Sequence, residues 1–303
     1  MNFFTKNCLI FSLVLLNISQ LYAMGAKRPR PGSGHATPAP TPVPTPLPSI
    51  DYGPYVNHIR ELAASSACTQ YSWKNRGRAP AGYTQGLALT YARGLCRLRS
   101  SENTPSALVN ILSASRSSNA NKDAVTYFQS NFENLSIQTN VSGPGPLSAV
   151  YLLAMGLGMR ESSGKYCEGW DRSAGGNRSS NAAEAGLFQT SLDSIGTSPE
   201  LAKLYSEYKA SPKRCFLDVF KAGATCSSMS NLGTGAGADY QAFNKSCPAF
   251  ATEYAMVMLR LARTHYGPIN RKEAEVIPAC HVLLQDVQNL VESDGQNVCD
   301  DVM

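Results

Sequence analysis

The chain has 303 residues, of which 43% are hydrophobic and only 16% are charged, and its net charge is +5. This low charge density suits a secreted protein better than a long coiled coil or a disordered tail, and the length allows one sizeable core or two small ones. Much of the positive excess lies ahead of residue 50, in Lys6, Lys27, Arg28 and Arg30. The rest of the chain carries 23 basic and 22 acidic residues, so we predict no nucleic-acid partner.

Residues 1–23 have the pattern of a secretory signal peptide. Lys6 gives the positive start, an apolar run follows over residues 9–16, and Ala23 offers a small residue for cleavage. The apolar run is shorter than the roughly 20 residues that cross a bilayer as a helix. We therefore expect a secreted or periplasmic protein that keeps no stable membrane span after cleavage.

Residues 24–49 are predicted to form a Pro/Thr-rich linker, because proline occupies every second position from Pro38 to Pro48. Such a run favours an extended polyproline II conformation and cannot pack a core. It is either a spacer or a leader that remains after cleavage. The remaining residues, 50–303, are predicted to form one folded domain with a helical N-terminal extension.

The cysteines indicate a disulfide-bonded protein. Eight of them follow the signal peptide: Cys68, Cys96, Cys167, Cys215, Cys226, Cys247, Cys280 and Cys299. An even number in an exported chain predicts up to four disulfides, although the sequence leaves their pairing open and reduced cysteines are the alternative. The chain has only four histidines and no Cys-x-x-Cys pair, so we predict neither a metal site nor a cofactor.

Apolar periodicity predicts a mainly α (α+β) fold. Residues 51–130 are predicted to be mostly helical, and further helices are expected within 199–230, 248–266 and 271–291. The segment Leu147–Ser163 is apolar on every face, which indicates a buried central helix, and Gly164 is the expected cap residue after it. The turn-rich segment 164–185 is the predicted place for a small irregular or β-hairpin lobe.

Glu161 is the candidate catalytic residue. It lies at the C-terminal end of the predicted buried helix, where burial and the negative end of the helix dipole both favour a protonated carboxyl group. A glycosidase needs such a group to protonate the leaving oxygen, together with a second carboxylate. Asp171, Glu168, Glu184 and Asp193 are all near enough in sequence to supply that carboxylate.

Three short segments resemble goose-type lysozymes and soluble lytic transglycosylases of the lysozyme superfamily. The residues 160–164 (RESSG) resemble the goose-type RESHAG segment, 169–171 (GWD) resemble GWGD, and 186–189 (GLFQ) resemble GLMQ. The resemblance implies a lysozyme-like fold, with Glu161 as the catalytic acid and Asp171 positioning water. It also implies that Gln189 and its neighbour Phe188 line a saccharide groove. A further segment, 239–244, is similar to the transglycosylase A-Y-N-A-G segment, which implies a sugar contact for Tyr240.

The expected function is that of a monomeric lysozyme that cuts the glycan strands of peptidoglycan. A lytic transglycosylase and a non-catalytic glycan-binding module are the alternatives. A narrower possibility is a lysozyme specific for de-N-acetylated glycan, of the kind known in predatory bacteria. In that case Glu168, Asp171 and Glu184 would pair with ammonium groups of the substrate. The segment 265–271 is predicted to pack a turn rather than to line the groove.

Overall fold

The computed structural model describes residues 52–100, 106–172 and 178–303, in which the chain is mainly helical, as predicted. The helices are α1 (Pro54–Ser65), α2 (Ala67–Gln70), α3 (Ala81–Ser100), α4 (Ala107–Ser113), α5 (Ala124–Tyr127), α6 (Gln129–Glu133), α7 (Pro144–Ser162), α8 (Pro199–Ala210), α9 (Leu217–Phe220), α10 (Ala236–Ser246), α11 (Pro248–Leu261), α12 (Gly267–Asn270), α13 (Pro278–Ser293) and α14 (Gly295–Val302). Short 3₁₀ turns lie at Leu192–Thr197, Pro212–Cys215 and Arg263–His265. The predicted signal peptide and linker lie outside the described residues.

Helix α7 is the buried central helix that the sequence predicts. It begins three residues earlier than expected, because Gly143 (φ 140°) turns the chain and Pro144 suits the first helical position. The helix ends where Ser163 takes a left-handed conformation with φ of 55°, and Gly164 follows with φ of 73°. The left-handed cap residue is therefore Ser163, and Gly164 continues the reversal instead of starting it.

Helices α3, α4, α11 and α13 surround α7. Two tyrosine hydroxyl groups of this interface donate hydrogen bonds to main-chain carbonyls: Tyr83 to Met155 at 2.6 Å, and Tyr151 to Thr90 at 2.6 Å. Because these polar atoms are satisfied, the aromatic rings can be buried without the cost of unpaired hydroxyl groups. This packing fixes the orientation of α7 and therefore the place where its last turn meets the surface.

A small β-hairpin in the described chain lies at residues 72–78, ahead of the segment 164–185 for which an irregular or β-hairpin lobe is predicted. Strand β1 (Ser72–Trp73) pairs antiparallel with β2 (Gly77–Arg78), and the turn between them uses Asn75 with φ of 59°. The described part of 164–185 is irregular and holds one isolated bridge, between Ala185 and Thr190, so of the two predicted forms of this lobe the irregular one agrees with the described residues. The sequence of this segment lacks the apolar alternation that a strand needs.

Four disulfides confirm the prediction from the cysteine count. They join Cys68 to Cys280, Cys96 to Cys299, Cys167 to Cys226 and Cys215 to Cys247. The first two fasten α13 and α14 to α2 and α3, and thereby tie the beginning of the described chain to its end. None of the helices in the described ranges is both long and apolar enough to cross a membrane.

Candidate active site

A cleft of about 590 Å³ opens where α7 ends. Its walls come from the last turn of α7, the loops on either side of residue 185, the β1–β2 turn and the segment that follows α12. The lining residues are Arg76, Arg160, Glu161, Glu168, Gly169, Trp170, Asp171, Arg172, Glu184, Gln189, Ser228, Pro268, Arg271 and Glu273. The cleft therefore collects the predicted acids Glu161, Glu168, Asp171 and Glu184 in one place.

Glu161 lies in the last turn of α7 and is partly buried. Desolvation by burial, reinforced by the negative charge of Glu184, raises the pKa of Glu161 from 4.5 to about 7. The cations Arg271 and Arg76 oppose this shift, and Asp171 adds a smaller contribution that raises the pKa. A carboxyl group with a pKa of about 7 is roughly half protonated at neutral pH, which suits a general acid.

The neighbour of Glu161 fixes the floor of the cleft. The hydroxyl group of Ser162 donates to the carbonyl oxygens of Leu187 at 2.8 Å and of Gly158 at 3.1 Å. The buried loop that contains Leu187 is thereby held against the end of α7. Since this loop is anchored beside the acid, Glu161 has a fixed position relative to the opposite wall.

Glu184 lies between an arginine and a histidine. Its carboxylate is 3.5 Å from Nη1 of Arg178 and 3.5 Å from Nε2 of His265. Burial lowers the pKa of His265, and the charge of Glu184 partly offsets that effect. The main chain of Glu184 also accepts a hydrogen bond from the amide of Asp171 at 3.1 Å, so the two acidic segments run side by side.

Gln189 links two segments of the cleft wall, those of Gly169 and Gly186, by side-chain hydrogen bonds. Its Nε2 donates to the carbonyl oxygens of Gly186 at 3.0 Å and of Gly169 at 3.3 Å, and the residue is only 8% exposed. The amide of Gly186 in turn donates to the carbonyl of Glu168 at 2.9 Å. Gln189 reaches the cleft surface, but its amide nitrogen is used by the protein. Its first role is to hold the Gly169 segment in place.

Two predicted substrate contacts lie beneath the surface and are not brought into the cleft. Phe188 has no exposed surface and packs beside Gly158 of α7. Tyr240 is equally buried, and its hydroxyl group hydrogen-bonds to Thr190 at 3.0 Å. Neither side chain reaches the cleft surface, so the prediction that they contact sugar is corrected: both are packing residues. Their apolar neighbours on α7 and α11 explain why the aromatic rings point inward.

The sequence interpretation missed the cationic wall of the cleft. Arg76 donates to the carbonyl of Arg160 at 2.6 Å, and Glu273 accepts from Arg160 at 3.2 Å and from Arg271 at 2.8 Å. The hydrogen bond from Arg271 is the main reason why the pKa of Glu273 falls to about 2. Arg271 belongs to the segment 265–271 that the sequence predicts only to pack a turn, and no local pattern marks it as a cleft residue.

Trp170 is a further cleft residue that the sequence analysis did not single out. Its partly buried ring lines the cleft, and the guanidinium group of Arg172 lies 5.9 Å from the ring centre. An aromatic face beside several hydrogen-bonding side chains suits a sugar ring, which has an apolar face and a polar edge. The sequence signal that could have identified Trp170 is its position between Gly169 and the candidate acid Asp171.

No model of a known protein family, no curated protein and no solved structure matches this chain. Within the described ranges, no group of three or more His, Cys, Asp or Glu side chains is placed to hold a metal ion. The chemistry that the described cleft offers is thus a carboxyl group with a raised pKa, additional carboxylates, arginines and an aromatic face.

Proposed function

We propose that the protein is an exported glycosidase that cuts the β-1,4-linked glycan strands of peptidoglycan, with Glu161 as its general acid. One observation carries the proposal: a glutamate at the edge of a buried helix lines an open, polar cleft, and burial raises its pKa to about 7. The lysozyme-like motifs around Glu161 support the same substrate class. The four disulfides support a site of action outside the reducing cytosol.

In the proposed reaction, Glu161 gives its proton to the glycosidic oxygen while the bond between that oxygen and the anomeric carbon breaks. Water then attacks the anomeric carbon, and Asp171 takes the proton of that water. The products are a new reducing end and a free hydroxyl group, and the two carboxyl groups return to their starting states through solvent. Trp170 provides a face on which a neighbouring sugar ring rests.

We assign Asp171 to the water because residues 169–171 resemble the goose-type segment whose Asp has that role, and we give Glu184 a different one. The carboxylate of Glu184 is paired with Arg178 and lies beside His265. The side chain of Glu184 is thus already held by partners of the protein. Glu184 serves instead to keep the pKa of Glu161 high, and it makes the second-largest contribution to that shift after burial.

Digestion of purified peptidoglycan by the oxidised, full-length protein tests the proposal. Glu161→Gln is expected to lower the rate by roughly 10²–10⁴-fold, which is the usual contribution of a general acid. Glu61→Gln, on the exposed face of α1, is the matched control and should leave the rate unchanged. If Glu161→Gln digests the wall as fast as the wild type does, the proposed role of Glu161 is wrong.

Mass analysis of the products separates hydrolysis from transglycosylation. Hydrolysis leaves reducing ends, whereas intramolecular attack by the muramyl 6-hydroxyl group leaves 1,6-anhydro ends and needs no second carboxylate. Anhydro products would replace the hydrolase proposal and remove the role of Asp171. Binding of glycan without any cleavage by the wild type would instead indicate a non-catalytic module.

A finer proposal concerns the acetylation state of the substrate. Glu168, Asp171 and Glu184 all line the cleft, and carboxylates pair well with the ammonium groups of glucosamine. We therefore propose that de-N-acetylated strands are cut faster than fully acetylated ones. Parallel digestion of the two substrates tests this, and equal or faster cleavage of the acetylated strands would contradict it while leaving the role of Glu161 intact.

A further inference from the structure

A second cavity, of about 560 Å³, shares no lining residue with the cleft. It lies where the chain enters α1, between the C-terminal end of α8 with the turn that follows it and the C-terminal end of α14. The residues that matter below are Tyr52, Arg93, Ala210, Lys213, Phe216 and Val302. Such a volume is within the range of sites that hold a small ligand.

The floor of this cavity is a buried arginine. Arg93, in the middle of α3, is 1% exposed. Its Nε donates to the carbonyl of Val302 at 2.9 Å, and its Nη1 donates to the hydroxyl of Tyr208 at 2.7 Å and the carbonyl of Arg214 at 2.8 Å. The guanidinium group also lies 4.3 Å from the ring centre of Phe216. These contacts hold the group rigidly, and every acceptor among them is neutral.

The charge of Arg93 lacks a partner within the part of the chain that is described. Arg97, one turn later on α3, forms an ion pair with Glu253 at 2.6 Å, whereas Arg93 forms none, and its Nη2 is buried with no hydrogen-bond partner. A buried cation without an anion is costly, so natural proteins nearly always pair it. The hydroxyl of Tyr52, in the same cavity, is a second buried group without a described partner.

The remaining surroundings indicate the kind of anion. Lys213 and Arg214 lie in the wall, and Phe216, Val302 and Met303 supply apolar surface. One lining residue is acidic, Asp301, and its carboxylate accepts a hydrogen bond from the amide of Tyr55 at 2.8 Å. The cavity therefore combines two unused donors and basic side chains with apolar walls.

We propose that this cavity binds the terminal carboxylate of a short apolar peptide. Nη2 of Arg93 and the hydroxyl of Tyr52 donate to the carboxylate oxygens, and the apolar walls cover small side chains such as alanine. The peptide is bound without being cleaved or modified, so this proposal goes beyond the proposed glycan cleavage. The chemistry fits a wall peptide that ends in D-alanine as well as an ordinary L-peptide, and stereochemistry distinguishes the two sources.

Calorimetric titration of the full-length, oxidised protein tests the proposal. The probes are N-acetyl-D-alanyl-D-alanine, N-acetyl-L-alanyl-L-alanine and the C-terminal amide of each. We expect a Kd of about 1 mM or tighter for at least one acid, and binding at least about tenfold weaker for its amide, because the amide lacks the charge that Arg93 needs. Preference for the D or the L form identifies the source. No binding of either acid, or equal binding of acid and amide, overturns the proposal.

Two variants locate the binding in this cavity. Ala210→Trp places a large ring at the exposed rim and should weaken binding at least about tenfold, whereas Ala202→Trp, exposed two turns earlier on α8, should not. Arg93→Met should abolish binding, and its folding is checked by thermal unfolding. Since Ala210 is outside the cleft, Ala210→Trp should digest peptidoglycan at the wild-type rate. Unchanged peptide binding in Ala210→Trp would refute the assigned location.

Discussion

The raised pKa of Glu161 predicts a gain in stability when this residue is replaced by glutamine. Between pH 4.5 and about 7 the folded protein keeps a proton on Glu161 that the unfolded chain releases. Stability therefore falls as the pH rises through this window, because the folded state must either hold the proton or bury a charge. A glutamine side chain carries no charge at any pH, so Glu161→Gln removes the loss.

The size of the effect follows from the shift. A displacement from 4.5 to about 7 corresponds to at most about 3 kcal/mol above pH 7. For a domain of this size that amounts to a rise in Tm of roughly 6–12 °C at pH 8. At pH 4, where the carboxyl group is largely protonated in both states, the variant and the wild type should unfold within about 2 °C of each other.

Thermal unfolding of Glu161→Gln and wild type, monitored by circular dichroism at pH 4, 6 and 8, measures the gain. Glu61→Gln on α1 is the control for removing one negative charge from the surface. A gain that is the same at pH 4 and pH 8 would show that the ionised form of Glu161 is not destabilised. The physical reason for assigning it as the acid would then be lost, whatever its effect on activity.

Three further predictions concern the surroundings of Glu161. Glu184→Gln should lower the pKa of Glu161 and move the alkaline limb of the activity profile to lower pH, because a nearby negative charge is removed. Arg271→Gln should move the same limb to higher pH, since a cation that opposes the shift is removed. Replacing both Cys167 and Cys226 with alanine should cost about 4 kcal/mol of stability, from the 59-residue separation that the bridge closes. The digestion rate should fall too, because Cys167 is directly followed by Glu168, which begins the segment that lines the cleft.

Conservative variants serve as controls for these predictions. Arg271→Lys keeps the charge and should leave the alkaline limb in place. Shifts of Glu184→Gln and Arg271→Gln in the same direction would contradict the electrostatic explanation. Unchanged digestion by the doubly substituted cysteine variant, measured well below its Tm, would show that the bridge does not order the cleft.

The local sequence is sufficient to predict the buried helix α7 but not the short β1–β2 hairpin. Helix α7 is apolar on all sides over about five turns, a pattern that indicates burial, so its position and the burial of Glu161 follow directly. The β1–β2 hairpin has two residues in each strand, which is too short for an alternating pattern to register. The sequence therefore does not mark residues 72–78 as a hairpin, and it predicts an irregular or β-hairpin lobe only in the turn-rich segment 164–185.

The candidate site shows the same division. Glu168, Asp171 and Glu184 are predictable because they follow Glu161 closely in sequence. Arg271 is not, because its closeness to Glu161 is created by tertiary packing across more than a hundred residues. Phe188 adjoins Gln189 and so is expected in the groove, but neighbouring residues in a tight loop point in different directions.

The connectivity of the disulfides determines when two of the four bridges can form in a newly made chain. Cys68 and Cys96 precede their partners, Cys280 and Cys299, by 212 and 203 residues. If the chain crosses a membrane with its N-terminus first, both early cysteines meet the oxidising side while their partners are still behind it. The bridges that fasten α13 and α14 to α2 and α3 can therefore close only after these last two helices have been made.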